Sequence, residues 1–240
     1  LYTIRDPMKA NLESALAEVA KIGYTNVELA GLHGRTPGDF KRLLDQHGLK
    51  AVAAHVGIGD MQKDLAKVAD EAHTLGYDYL MVPWIGDEYR SEAGWTRLAG
   101  ELREVADKLQ GRGLRVGYHN HDFEFRPIGG GRTGHDVLFG PGSDAIVCEL
   151  DVYWVQKAGH DPIKRLEQLT GRVPLLHMKD MADTAQKGFA EVGTGTIPLR
   201  QLAAAAPKHG VRYLVVEQDS GWIDNAPMKS ARIGFENLKK

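Results

Sequence analysis

The sequence predicts an α/β protein of the (β/α)8 TIM barrel class, and three observations predict it. Short apolar runs, several ending in a carboxylate or an imidazole, recur along the chain. Amphipathic stretches of helix length separate them. A glycine repeatedly falls between helix and next apolar run, as in Ile22-Gly23-Tyr24, His47-Gly48-Leu49, Leu75-Gly76-Tyr77 and His209-Gly210-Val211. Glycine suits the left-handed conformation that ends a helix, and helix, glycine, strand in alternation marks βαβ units. Eight runs, ending near Ile4, Leu29, Val56, Pro83, His121, Asp151, Met178 and Glu217, fit a closed barrel better than an open doubly wound sheet.

The elements follow in order. Leu1-Tyr2-Thr3-Ile4 reads as the tail of a first strand, which leaves open that a leader or a few residues precede it. Leu12, Leu16, Val19 and Ala20 form an apolar helical stripe, and Leu65, Val68, Ala69 and Ala72 form another. The clearest stripe is Leu98, Leu102, Val105, Ala106 and Leu109. Gly129-Gly130-Gly131 neither follows a strand directly nor opens onto a Lys-Ser/Thr pair, so it reads as a flexible loop and not a phosphate cradle. Gly193-Thr194-Gly195 is expected to close over a pocket, the plainer reading being the turn before a helix starting near Pro198. The tail after Gly221, carrying Met228, Ile233, Phe235 and Leu238, reads as a helix that closes the barrel. With 240 residues, the whole span 1–240 is expected to form one domain.

Composition narrows the partners. Net charge is -2, which argues against nucleic acid, since phosphate binding leaves a basic footprint. No run reaches the length of a membrane-spanning helix. The one cysteine, Cys148, lies in an apolar strand and reads as a buried, inert thiol. A lone thiol suits the cytoplasm, with the periplasm open if a leader precedes Leu1. Barrels of this kind often pair, which leaves a homodimer open.

The chemistry is concentrated at the strand ends. In a (β/α)8 barrel those ends and the loops after them form the active-site face. Here they carry His55, Trp84, His119, His121, Glu149, Asp151, His177, Lys179, Glu217 and Asp219. Residues two apart on a strand share a face, so His119 and His121, Glu149 and Asp151, His177 and Lys179, and Glu217 and Asp219 pair off inward. Buried charge is costly unless it is paired or holds a metal. A set of imidazoles and carboxylates suits one divalent ion, Mn²⁺ or Co²⁺ ahead of Zn²⁺ or Mg²⁺.

Five segments carry a resemblance: Tyr118-His119-Asn120-His121-Asp122-Phe123-Glu124-Phe125, Glu149 to Gly159, Leu176-His177-Met178-Lys179-Asp180, Val192-Gly193-Thr194-Gly195-Thr196-Ile197 and Val216-Glu217-Gln218-Asp219. Together they resemble the xylose isomerase-like TIM-barrel superfamily of sugar phosphate isomerases and epimerases. The paired-histidine segment is similar to the branch of inosose dehydratase and 3-keto-sugar enzymes. The resemblance implies a metal held by Asp151 on the sixth strand, His177 on the seventh and Glu217 on the eighth, counting a strand at Ile4. Glu149 remains an alternative or additional ligand. The fifth-strand position, usually glutamate in the epimerases, falls here on His119 or His121. Catalytic roles are expected for Glu217, His119, His121 and Lys179, and substrate contacts for His55, Trp84 and Trp154. Asp180 is expected to orient a neighbouring group or cap the following loop.

The activity these residues imply is isomerisation or epimerisation of a ketose or keto-sugar through a metal-stabilised enediolate. The alternative is a lyase acting on an inosose or 3-keto-glycoside. An endonuclease IV-like phosphodiesterase and a non-catalytic sugar-binding barrel are the readings from other classes. Trp154 stands where the nuclease needs a further histidine, and no phosphate clamp is evident, which favours an unphosphorylated sugar or glycoside.

Overall fold

The computed structural model describes residues 1–239. Seven parallel strands form one sheet in chain order: β1 Asn26–Leu29, β2 Lys50–His55, β3 Tyr79–Val82, β4 Arg115–His119, β5 Val147–Asp151, β6 Leu175–Met178 and β7 Tyr213–Val216. Each neighbour follows the last through a helical crossover, so the sheet curls into a TIM barrel with helices outside. The strand expected to end near Ile4 is absent. Tyr2–Ile4 is a single 3-10 turn, and the Leu1 ammonium reaches only the Glu28 carbonyl, 2.8 Å away. Strand labels therefore run one behind the count used above. Strands β1 and β7 face each other across an open seam, a groove of about 430 Å³ lined by Val27, Val52, Tyr213 and Val215.

The outer helices form where the apolar stripes lie. Helix α1, Leu12–Ile22, starts on Asn11, whose side chain accepts from the Ser14 N–H at 3.0 Å, and buries Leu12, Leu16 and Val19. Helices α2, Pro37–Gln46, and α3, Leu65–Leu75, start on the side-chain caps Thr36 and Asp64. Helix α4, Glu92–Lys108, is capped by Ser91 and buries Leu98, Leu102 and Val105. Helices α5, Val152–Lys157, and α6, Pro162–Gln168, follow β5, and α7, Leu199–Ala205, follows β6. Helix α8, Pro227–Leu238, closes the ring against α1: the Tyr24 hydroxyl donates to the Ala231 carbonyl at 2.8 Å, and the rings of Tyr24 and Phe235 lie 4.8 Å apart. No helix among the described residues is long and apolar enough to cross a membrane.

Two apolar layers hold this shell. The larger lies between helices and sheet and includes Cys148, which is fully buried with its thiol pushed up by that burial. The smaller fills the barrel's interior with Val52, Ala53, Tyr79, Met81, Val147 and Leu175. Gly117 makes that interior possible: a Cβ there would sit 2.4 Å from the Val147 carbonyl oxygen. Above this plug, toward the C-terminal strand ends, the inward positions turn polar.

The triple glycine lies in a short antiparallel hairpin, Pro127–Gly129 with Arg132–Thr133, all three residues having positive φ. The Gly193 to Gly195 segment does not line the mouth cavity and is the turn before α7. Asp180 fixes it: one carboxylate oxygen accepts from the N–H groups of Gly193 and Gly195 at 2.9 and 2.8 Å, the other from those of Met181 and Ile197 at 2.8 and 3.1 Å. The capping role expected of Asp180 is thus observed.

Candidate active site

The strand register decides which side chains meet. His119 pairs with Glu149, Asp151 with His177, and Val215 with His177, so the shear of the parallel sheet sets these groups at staggered heights around one centre. Deepest lies a network of carboxylates and imidazoles. His177 Nε2 is 2.9 Å from Glu28 Oε2 and 3.2 Å from Glu149 Oε1. His55 Nε2 is 3.2 Å from both Glu28 Oε2 and Glu149 Oε2. His119 Nδ1 is 3.3 Å from Glu149 Oε2. On the other side of His177, Nδ1 is 3.8 Å from Glu217 Oε1.

A second cluster sits beside the first. The Lys179 ammonium, 1% exposed, is 2.6 Å from Glu217, 2.8 Å from Asp219 and 3.0 Å from Asp151. Asp151 divides its carboxylate: Oδ2 faces Lys179, while Oδ1 accepts from the N–H groups of Tyr153 and Trp154 at 3.0 and 3.1 Å, starting α5. Asn120, the residue after β4, holds the Asp151 backbone, accepting from its N–H at 3.0 Å and donating to its carbonyl at 3.3 Å. Glu124, fully buried, accepts from the Tyr118 hydroxyl at 2.7 Å and the His121 N–H at 2.8 Å, fixing the turn that carries His121.

Burial and neighbouring charge set the protonation of these groups. Burial opposes charge on His55, but Glu28 above all, together with Glu149, lifts its pKa to about 10. His177 is likewise raised well above the ordinary imidazole range by Glu149, Glu28 and Glu217 against its burial. His119 and His121 go the other way: burial first, then nearby cationic groups, lower both, His121 to about 3. Glu217, despite burial, is held well below the carboxylate range by Lys179 and His177. Burial lifts Asp219 to about 7, Lys179 opposing and Glu217 and Asp151 assisting.

Over these clusters lies a cavity of about 550 Å³, lined by Tyr2, Ala30, His55, Pro83, Trp84, His119, His121, Asp122, Trp154, Lys179, Glu217 and Asp219. Its wall is aromatic: the His121 ring lies 4.9 Å from Trp84 and 5.3 Å from Trp154. Trp84 is 54% exposed. Sequence reasoning named His55, Trp84, His119, His121, Trp154, Lys179 and Glu217, all of which line this cavity. Glu149, Asp151 and His177 lie beneath it, each fully buried.

Glu28, Asn120 and Glu124 were not singled out from the sequence. Glu28 had a signal, because Asn26-Val27-Glu28-Leu29 is another short apolar strand with a carboxylate at its end.

The donors fit a cation in composition. Four residues, His55, His119, Glu149 and His177, bring ligand atoms within 4.8 Å of one another, and Glu28, His177 and Glu217 do the same. Asp151 belongs to neither group. Buried atoms without hydrogen-bond partners cluster here, among them Glu28 Oε1, Glu149 Oε1, His119 Nδ1 and His177 Nδ1. Orphaned polar atoms in a native interior call for an explanation, and an ion is one.

A parallel barrel whose mouth gathers imidazoles and carboxylates beneath an aromatic-walled cavity defines a class of small-molecule enzyme folds. The chain belongs to the xylose isomerase-like TIM barrel family, whose sequence pattern matches residues 16–240. A search of curated protein sequences finds no match. Solved structures share the fold. A sugar phosphate isomerase/epimerase from Parabacteroides distasonis ATCC 8503 is 20% identical, with 100% of this chain and 95% of that one covered at a TM-score of 0.86. The IolI protein with a bound zinc atom is 16% identical over 95% of this chain and 91% of that one, TM-score 0.73. A D-allulose 3-epimerase from Methylomonas sp., in complex with D-allulose, is 16% identical over 96% and 91%, TM-score 0.69.

Proposed function

We propose that this chain is a divalent-metal-dependent isomerase or epimerase of a ketose or keto-sugar. The observation that carries the reading is the convergence of two donor groups that share His177, one of His55, His119, Glu149 and His177 and the other of Glu28, His177 and Glu217, several of whose buried atoms lack hydrogen-bond partners. The zinc atom in IolI and the D-allulose in the Methylomonas enzyme support it. Glu149, His177 and Glu217 would hold the ion, with Glu28, His55 and His119 beside them. Of the two carboxylates on β5, Glu149 is the better ligand, since Asp151 is committed to Lys179 and the start of α5. When bound, a divalent ion supplies Lewis-acid polarisation of a carbonyl and its neighbouring hydroxyl, Mn²⁺ or Co²⁺ suiting the mixed donors and Zn²⁺ or Mg²⁺ following.

The chain's own residues do the rest. Trp84 and Trp154 pack against the C–H face of the sugar, and His55 and His121 offer ring nitrogens to its hydroxyls. Glu217 and His119 flank the cavity floor: the ionised Glu217 carboxylate accepts the proton of the carbon beside the carbonyl, giving an enediolate, and a proton is returned either by the Glu217 carboxyl so formed or, on the opposite face, from solvent by way of the His119 ring. The Lys179 ammonium, 2.6 Å from Glu217, holds that carboxylate ionised and so able to accept the proton. Return to the opposite face is epimerisation, and return to the adjacent carbon is isomerisation. Loss of a β-substituent instead would make the enzyme a lyase.

The test is deuterium incorporation. Metal-loaded and chelated protein are incubated in D₂O with ketoses, inososes and 3-keto-glucosides and followed by NMR. Metal-dependent label beside the carbonyl is expected, its position naming the reaction. No incorporation across the panel, with metal bound, refutes the assignment.

A further inference from the structure

Three kinds of feature hold anionic groups at a barrel mouth: free cationic side chains, helix N-termini and nests of backbone N–H groups. The first two occur around the cavity and the third outside its lining, and each is closed by the chain's own carboxylates. Lys179 is the only lysine or arginine lining the cavity among the described residues, and Asp151, Glu217 and Asp219 surround it at 2.6–3.0 Å. The N-terminus of α5 is occupied by Asp151 Oδ1, which takes the N–H groups of Tyr153 and Trp154. The N–H groups of Gly193, Gly195 and Ile197, the nest after β6, all point at Asp180. Gly195 allows that approach, because a Cβ there would stand 2.4 Å from Asp180 Oδ1.

The arginines near the rim are committed as well. Arg5 donates to the carbonyls of Tyr2 and Asp219 at 3.0 and 2.8 Å. Arg90 pairs with Asp87 at 2.8 Å, donates to the Ile85 carbonyl at 3.2 Å and lies 3.9 Å above the Phe123 ring. Asp122 adds a further carboxylate to the cavity lining.

We propose that this site selects uncharged substrates, and that a phosphate or carboxylate group on the sugar is rejected because the cationic and N–H groups that the chain itself offers around the mouth are already filled by its own carboxylates. The inference rests on the reading that the mouth binds a keto-sugar, and it narrows that reading to neutral ketoses and glycosides. The aromatic wall of Trp84, His121 and Trp154 suits them, since such surfaces take C–H faces and not charge.

Metal-loaded protein is titrated calorimetrically with D-allulose and with D-allulose 6-phosphate, and metal-free protein separately with inorganic phosphate followed by ³¹P NMR. The neutral sugar is expected to bind at least about tenfold more tightly than its phosphate, the gap narrowing as salt is raised. Inorganic phosphate is expected to show no saturable binding. Asp122→Asn at the rim should narrow the gap, and Asp219→Asn, which loosens the hold on Lys179, should narrow it further. Equal or tighter binding of the phosphate ester overturns the proposal, as does an unchanged gap in both variants. Should D-allulose itself not bind, the inorganic phosphate titration still decides, saturable binding overturning the proposal and its absence upholding it. Failure of deuterium incorporation would sink the proposed activity without altering these binding results.

Discussion

Replacing Lys179 by methionine, which keeps the length and removes the charge, is the sharpest test of the mouth's electrostatics. The ammonium is 1% exposed and has Glu217, Asp219 and Asp151 at 2.6, 2.8 and 3.0 Å. Without it, carboxylates remain crowded in a buried space with no adjacent cation. Breaking a buried pair by removing one partner costs about 3–5 kcal/mol. At about 2.1 cal/mol/K of unfolding entropy per residue, 240 residues give about 0.5 kcal/mol/K, so Tm should fall by about 6–10 °C. The loss should be largest at neutral and alkaline pH and shrink in acid, where the stranded carboxylates take up protons. Divalent metal should recover part of it. Thermal unfolding of metal-free wild type and Lys179→Met at pH 5 and pH 8 gives the answer. An unchanged or raised Tm at pH 8 would refute the reasoning, since Lys179 would then not be balancing those three charges.

Other outcomes follow from the same geometry. Folded-state pKa values of His55 and His177 lie above their unfolded value, so their stabilisation of the metal-free protein is full below about pH 6.5. For His55 it should drain away as pH rises through about 10; urea unfolding across that window measures it, and a flat profile contradicts it. The same protons must leave before these imidazoles ligate an ion, so metal affinity should climb with pH and binding should release protons. Calorimetry in buffers of different ionisation enthalpy counts them, and none released would rule out ligation by His55 or His177. Trp84→Ala should raise KM while leaving Tm nearly unchanged, because the side chain is 54% exposed; an equal loss of kcat at constant KM would remove it from substrate binding. Asp180→Ala should cost several kcal/mol, about 1–3 kcal/mol for each N–H left buried without an acceptor, and denaturant unfolding with a loss under about 1 kcal/mol would contradict that.

Much of this architecture was legible because burial writes a local pattern. The stripe from Leu98 to Leu109 and the glycines at 23, 76 and 210 mark helices and their ends whatever the fold around them, and the structure has helices there. Polar strand ends such as Glu149-Leu150-Asp151 are conspicuous because a barrel interior has no other reason to hold them. What stayed hidden depends on register. That Glu28 meets His177 across the barrel follows from the shear of the parallel strands, which no local pattern carries. That Asp151 serves Lys179 and a helix start, leaving Glu149 among imidazoles, follows from rotamers and neighbours. The strand assigned at Ile4 shows the opposite limit: four residues were read as strand from composition, and they form a 3-10 turn beside an open seam.

The central claim is that the mouth of this barrel holds one catalytic divalent ion. Anomalous diffraction from crystals soaked in Mn²⁺ tests it most directly. A single strong peak inside the barrel mouth, coordinated by His177, Glu149 and Glu217, is expected. A peak confined to surface carboxylates, or none within reach of His177, would contradict it.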